Sequence, residues 1–361
     1  MVNNMPMILY VCYTDLDNSQ SGSSVRPQKM LHAFEELGYE ILLLSGDQRR
    51  MNERRRSVQG IFTALGRYSP DFCYIELPSG PIQGFADRRL LMRLSRLGIP
   101  TAAFYRDAYY RLAPWWNLAL YKKITVRFLH SVDIGILRRC CDIVYFPSRT
   151  MASLFDFPQK GVLPPACERL FLKPREDPRV CIYVGGLSRW YGTDLMLRAF
   201  EMLNRGGNYP LILVCRESET IEIEPRYRSA SWLTISHASG KELEGFYARA
   251  DIGLYCGRRD QYMNLSMPVK LFGYLSYGLP VVVTNCTEVA SFVRKNGVGL
   301  VVTDDSHAIA AGVRDMVANP TAYRRYYDNL VQAIKSDHLW IHRAGKVAAD
   351  LEHGTSLNSK L

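Results

Sequence analysis

The chain has 361 residues, 47% of them hydrophobic and 22% charged, with a net charge of +10. That length exceeds one ordinary core and divides into two domains, and the composition excludes disordered and fibrous classes. No apolar run approaches the roughly 20 residues needed to span a bilayer, so a membrane-spanning chain is not expected.

In chain order, short apolar runs at 8–13, 41–45, 72–76, 101–105 and 143–147 alternate with amphipathic stretches, which is a parallel βαβ pattern. The first run follows an uncharged start and lacks a basic segment or a small-residue cleavage site, so it does not read as a signal peptide and a cytoplasmic chain is expected. Residues 163–178 hold four prolines and read as an interdomain linker. A second series of runs follows at 180–184, 211–215, 233–236, 252–255, 281–284 and 299–302. After Asn319-Pro320 a polar, aromatic helical tail runs to Leu351, ahead of a frayed end, GTSLNSKL. The expected domains are 1–165 and 175–335, both Rossmann-like, with 336–361 a helix crossing back to the first domain and a tail. Ligands of parallel sheets bind outside the carboxyl ends of the strands, so two such halves facing one central cleft place the chemistry between them.

Residues 1–172 carry 22 Lys and Arg against 15 Asp and Glu, a net of +7, which leaves +3 for the remainder. A basic field of this kind attracts nucleic acid, anionic membrane or phosphorylated substrate alike. No nucleic-acid motif accompanies it, so nucleic acid is not an expected partner. The stretch 105–139 interleaves aromatic residues with Arg111, Lys122, Lys123, Arg127, Arg138 and Arg139, a composition that suits an anionic membrane surface and equally an amphipathic helix with a core-facing side. The nine cysteines fall mostly in or beside apolar runs without CxxC spacing and read as reduced core residues, with no metal expected.

The segment NLSMPVKLFGYLSYGLPVVVT, from Asn264 to Thr284, joins a loop, a short helix and a buried strand. Asn264, Ser266 and Lys270 stand where the loop enters the helix, Pro268 suits its first turn, and Gly278-Leu279-Pro280 stops it. Free N–H groups at a helix start favour an anion by roughly 0.3–1 kcal/mol. A structural helix with an exposed lysine accounts for the same letters.

This segment resembles the donor-site helix of GT-B glycosyltransferases, especially glycosyltransferase family 4, with its P-x-K-x-x-E-Y-x-A-x-G-x-P-V-V pattern. The resemblance implies an α/β GT-B fold with an amino-terminal acceptor domain and a carboxy-terminal nucleotide-sugar domain. Ser21-Gly22-Ser23-Ser24 is similar to the family's glycine-bearing first loop, which places Gly22 near the donor phosphate, although helix capping explains the serines too. The stretch YVGGLSRWYG is similar to the turn G-R-L-x-x-x-K-G, through Gly185 and Gly186. Here the family's arginine falls on Gly186 and its lysine on Tyr191, so both cations are missing, and Arg189 is a shifted substitute or a solvated loop residue. Ser236, His237 and Ala238 resemble the segment that holds the base. The two glutamates of many members fall on Leu265 and Gly273, leaving Asp260, Asn264 or Ser266 to compensate.

For catalysis the resemblance points to Asp107, at the end of the fourth run, as a polar contact to the transferred sugar, unless it pairs with Arg106 or Arg111. The implied function is transfer of a hexose, with retention, from a nucleotide sugar, expected as a UDP-sugar, to a glycan or polyprenyl-linked acceptor in surface polysaccharide or glycoprotein glycan synthesis. No cofactor is expected. A non-catalytic GT-B partner of another transferase is the alternative, and a sugar-nucleotide epimerase a weaker one.

Overall fold

The computed structural model describes residues 5–16, 22–112, 117–168 and 176–358, with the side chains of 22, 23 and 353–358 left aside. The chain divides into two compact units, residues 1–164 with 340–361, and residues 165–339.

The first unit is built on β1 (Met7–Cys12), β2 (Glu40–Leu44), β3 (Phe72–Glu76), β4 (Thr101–Phe104), β5 (Ile143–Phe146) and β6 (Lys160–Val162). They pair in the order β2-β1-β3-β4-β5-β6, all parallel. Five of the six strands stand on the expected runs. The sixth, KGV, is too short and too polar to announce itself, and it forms because the fifth strand offers it an open edge. The helices are α1 (Gly22–Glu36), α2 (Met51–Ala64), α3 (Phe85–Arg96), α4 (Tyr109–Leu112), α5 (Leu120–Cys140) and α6 (Arg149–Ser153). Helix α3 touches both α2 and α5, and right-handed crossovers, the rule for parallel strands, would set α1 on the opposite face of the sheet from them. Buried Arg26, on α1, is held by Glu76 at 2.9 Å and by the Leu163 carbonyl at 3.1 Å.

The second unit holds β7 (Cys181–Val184), β8 (Leu211–Val214), β9 (Leu233–Ser236), β10 (Ile252–Tyr255), β11 (Val281–Thr284) and β12 (Gly299–Val302), in the parallel order β12-β11-β10-β7-β8-β9. Its helices are α7 (Thr193–Leu203), α8 (Pro225–Arg228), α9 (Leu243–Arg249), α10 (Val269–Ser276), α11 (Thr287–Asn296), α12 (Ser306–Ala318) and α13 (Pro320–Asp337). The chain leaves β7 toward β8 on one side and returns to β10 on the other, so the strand order reverses between β7 and β10. In a doubly wound sheet the crevice for a ligand opens at the carboxyl ends of such a pair.

The last helix, α14 (Trp340–Asn358), belongs to the first unit and lies against α1. It continues past Leu351, where the sequence reading ends it, so the terminal segment is helical through Asn358 rather than frayed. Tyr145 fastens it by donating to Asp350 at 2.6 Å. The unit boundary falls between Pro164 and Pro165, within the proline-bearing linker, of which 169–175 lie outside the described residues. Seven of the nine cysteines are buried and two half-buried, and none is bonded to another. Among the described residues no helix is long and apolar enough to cross a membrane, and no group of three or more metal-ligating side chains is placed to hold an ion.

Candidate functional site

Gly22 and Asp107 lie in the first unit and the other nine expected site residues in the second. At the strand reversal the chain leaves β7 through Gly185, whose φ of +133° is open to glycine and strained for other residues. A Cβ there would stand 2.6 Å from the Lys270 ammonium, so backbone and cation share one small space. The turn closes at Gly192, with φ +64° and no room for a Cβ against the Cys256 carbonyl at the end of β10. The glycines thus let the β7–α7 turn press on the β10 terminus.

Lys270 enters this space from the first turn of α10. Pro268 is the residue just before that helix, with extended φ and ψ, rather than a member of its first turn. Gly278, at φ +71°, ends the helix as its sequence predicts, with its N–H on the Leu275 carbonyl. The half-buried Lys270 Nζ donates to Tyr183 Oη at 3.0 Å and lies 4.2 Å and 4.9 Å from the ring centroids of Tyr183 and Tyr191. Burial pushes its pKa down to about 7, against smaller opposing effects of Cys256 and Glu219. Tyr183 in turn donates to the Gly186 carbonyl at 2.6 Å, which locks lysine, tyrosine and turn into one unit.

Gly186 and Tyr191 stand where the family pattern has its two cations, and the structure joins these departures. A Cβ on Gly186 would come within 3.0 Å of the Tyr191 ring and 3.5 Å of Glu219 Oε1. The aromatic ring therefore occupies the room that a side chain at 186 needs. Glu219 reaches Arg216 at 3.4 Å through one oxygen, and its Oε2 is buried without a hydrogen-bond partner. Arg189 is exposed on a single 3-10 turn, with no ion pair among the described residues, and its carbonyl accepts from Gly192 N–H at 3.1 Å.

The next strand ends extend this surface. Gly185 N–H donates to the Val214 carbonyl at 2.9 Å, and Cys215 N–H to the Ser236 carbonyl at 3.1 Å. The imidazole of His237 lies 3.1 Å from the Cys215 carbonyl through Nδ1. Hydrogen bonds thus link Gly185, Gly186, Ser236 and His237 along the ends of β7, β8 and β9, with Ala238 packed on the core beside them. The side-chain oxygen of Asn264 accepts from Thr287 N–H at 3.0 Å and caps the start of α11. Ser266 N–H closes a turn on the Met263 carbonyl at 3.2 Å. Asp260 accepts from Met263 N–H at 2.7 Å through Oδ1, while its Oδ2 is buried without a partner.

Both positions of the absent glutamates have a physical explanation. Leu265 is a core residue, and a Cβ at Gly273 would stand 3.0 Å from Tyr247 Oη. That tyrosine, stacked on Tyr277 with centroids 4.8 Å apart, takes the space of a side chain at 273.

In the first unit, half-buried Asp107 follows β4 and accepts from Tyr109 N–H at 3.1 Å through Oδ1, at the start of α4. Neither flanking arginine makes an ion pair with it: Arg106 reaches Glu76 at 3.8 Å, and Arg111 donates to the Leu154 carbonyl and to Tyr110 Oη. Beside it Tyr105, Tyr110 and His130 form a buried cluster, with Tyr110 stacked on His130 at 3.8 Å and Tyr105 Oη 3.1 Å from His130 Nδ1. Burial, aided by Arg111, pushes His130 down to about 4 and holds it neutral. Gly22 opens α1, and the rest of its loop, 17–21, lies outside the described residues.

Three participants escaped the sequence: Tyr183 looked like a core strand residue, Glu219 sits in an acidic run without a motif, and Tyr247 carries no signal apart from its fold neighbour at 273.

Residues 178–319 match the model of the family described as glycosyl transferases group 1. Among curated proteins none matches the chain. Solved structures similar to it include a glycosyltransferase from Rickettsia africae, with TM-score 0.67, 9% identity, and coverage of 98% of this chain and 99% of that one. Anabaena HepE in complex with UDP is similar with TM-score 0.64, 10% identity, and coverage of 97% and 100%. WaaG, a glycosyltransferase involved in lipopolysaccharide biosynthesis, is similar with TM-score 0.63, 14% identity, and coverage of 96% and 99%. At these identities the likeness is one of fold, and the fold is the GT-B type.

Proposed function

We propose that the chain is a glycosyltransferase that moves a hexose, with retention, from a nucleotide sugar to a glycan or lipid-linked acceptor in surface polysaccharide or glycoprotein glycan synthesis. The observation that carries this reading is the Lys270 ammonium, desolvated and held by Tyr183 against the Gly185 backbone at the strand reversal of the second unit. A cation with no carboxylate in ion-pair contact among the described residues, beside the half-buried backbone of Gly185 and Gly186 at a strand end, suits a diphosphate. Uridine is the proposed base, on likeness to HepE, which was solved with UDP.

In the proposed reaction the bond from the sugar's anomeric carbon to the diphosphate oxygen breaks with its electron pair on that oxygen. The acceptor oxygen forms the new bond from the same face, and its proton passes to the leaving phosphate. This asks the protein for positioning and charge stabilisation, with no separate base. Lys270 and Arg189 are assigned to the leaving diphosphate, Ser236, His237 and Ala238 to the base, and Asp107 to the transferred sugar.

A second reading, a non-catalytic partner of another transferase, is favoured by one feature. Where the family pattern has two cations there are a glycine and a tyrosine, and the unpaired Glu219 oxygen is close by. A thermal-shift screen with UDP-, GDP-, ADP- and dTDP-sugars decides between them, since a ligand of the folded state raises the melting temperature by mass action. Selective stabilisation by UDP-sugars, lost in Lys270→Ala, and turnover lowered in Asp107→Asn are the expected results. Absence of any shift and any turnover moves the assignment to the partner.

A further inference from the structure

We propose that the groove between α2 and α3 is a binding tract for an acidic glycan, the acceptor chain of the proposed transfer. The inference rests on that reading of the function and names the chemistry of its acceptor. Two adjoining hollows of about 450 Å³ and 370 Å³ share Phe62, Phe85 and Arg89 and join into one groove. Phe85, Arg89, Met92, Arg93 and Arg96 line it from α3, on the side away from buried Leu90, Leu91 and Leu94. Arg55 and Phe62 line it from α2. From Phe85 to Arg96 this wall runs about 16 Å at 1.5 Å per residue, which is longer than a single sugar.

The walls of the groove are held in place. Buried Gln48 accepts from Gln83 N–H at 3.0 Å and donates to the Pro81 carbonyl at 3.3 Å, which ties the loop before α2 to the loop before α3. Arg54 and Asp87, both buried, pair from one helix to the other at 2.8 Å. Asp87 is the one acidic residue among those lining the groove, and this pair spends its charge. Exposed Arg55, Arg89, Arg93 and Arg96 have no acidic partner among the described residues. A row of guanidinium forks about one helical turn apart suits anions repeated along a chain, and the rings of Phe62 and Phe85 offer a surface to the apolar faces of sugar rings. A mononucleotide or a sugar phosphate fills one hollow and leaves the remaining arginines unmet. A single-stranded nucleic acid stacks successive bases on aromatic rings, of which the groove has only one on each wall. Both helices begin at the carboxyl ends of their strands, β2 and β3, the same end of the sheet at which Asp107 follows β4. A chain lying in the groove therefore runs outward from the end of the first unit that holds Asp107.

The test is calorimetric titration of the full chain, without any nucleotide sugar, by tetragalacturonate and by neutral maltotetraose at low salt. The acidic tetramer should bind at least about tenfold more tightly than the neutral one. Arg89→Ala with Arg93→Ala should weaken its binding by at least about tenfold, and Phe85→Ala should weaken both tetramers. Arg198→Ala with Arg205→Ala removes as much charge from exposed sites of the second unit and should change nothing. The substituted arginines are exposed, so the melting temperature and its rise with UDP should match the parent; should the first pair misfold, Arg55→Ala with Arg96→Ala reads the same groove. Equal binding of the two tetramers overturns the proposal, as does an equal loss in the second-unit pair, which would mean a general charge effect. Tighter binding of a uridine tetranucleotide or of phosphatidylglycerol vesicles than of tetragalacturonate also overturns it. Arginine-dependent glycan binding without any rise by UDP would uphold the tract and remove the donor assignment, so the two readings fail separately.

Discussion

The ammonium of Lys270 donates to the phenol of Tyr183 at 3.0 Å and pairs with no carboxylate among the described residues. Its charge is thus supported by a hydroxyl and two aromatic rings, a weaker support than water, and this is why its pKa falls to about 7. A diphosphate arriving beside it restores the missing counter-charge and raises that pKa again. Between about pH 7 and 9, UDP binding should therefore take up a proton, and affinity should fall as pH rises through this window. Calorimetry in two buffers of different ionisation enthalpy reads the uptake directly. Equal heats in both buffers would remove Lys270 from the phosphate site.

The same lysine makes a prediction for the unliganded protein. Its folded pKa, about 7, lies below the ordinary 10.5, so between these values the unfolded chain holds more protons than the folded one. Stability from this group then rises with pH across the window, and below about pH 7 its full burden is present. Lys270→Met removes the burden, so the variant should be more stable than the parent at pH 6.5, with the advantage shrinking toward pH 9. Urea midpoints at the two pH values check the sign.

Gly186 and Tyr191 should behave as a pair. Gly186→Arg alone drives a side chain into the Tyr191 ring, 3.0 Å from the new Cβ, and should cost about 1–3 kcal/mol. Adding Tyr191→Lys frees the space, so the double variant should recover part of the stability and, with two more cations near Lys270, bind UDP about tenfold more tightly. Melting curves and UDP titrations of the two singles and the double measure the coupling; strict additivity would mean that the departures from the family pattern are independent.

Eleven of the twelve strands stand on runs that the sequence announces, because a strand buried on both faces needs continuous apolar residues and a short turn at each end. The exception, Lys160–Val162, owes its state to a neighbour's free edge, which no local pattern encodes. Around the strand reversal Gly185, Gly186 and Lys270 were singled out because a glycine pair after a strand and a lysine at a helix start match the family pattern, and the structure brings Gly185 and Lys270 together. Glu219 and Tyr247 were not, since each matters only through a residue distant in sequence: 33 positions separate Glu219 from Gly186, and 26 separate Tyr247 from Gly273. Asn264 was named for its place in a matching loop, and its side-chain oxygen also caps a helix 23 positions onward, a task that no local pattern encodes.

Arg26 and Glu76 offer a test of the first unit's core. Their 2.9 Å bond is buried on both sides, and the guanidinium is further engaged by the Leu163 carbonyl, by Tyr74 Oη at 3.3 Å and by the Phe104 ring, whose centroid lies 3.5 Å away. Arg26→Met leaves the Glu76 carboxylate in the interior with the Tyr74 hydroxyl at 2.7 Å and Arg106 at 3.8 Å as its remaining support, and should cost about 3–5 kcal/mol. Glu76→Gln keeps a hydrogen-bonding group but leaves the buried guanidinium without its counter-charge, and should cost nearly as much. In the double variant neither charge is stranded, so its loss should be well below the sum of the singles. Urea unfolding of the four proteins gives the coupling energy. A sum that equals the double would show that the two residues act separately, and that the carbonyl and ring contacts hold Arg26 without Glu76.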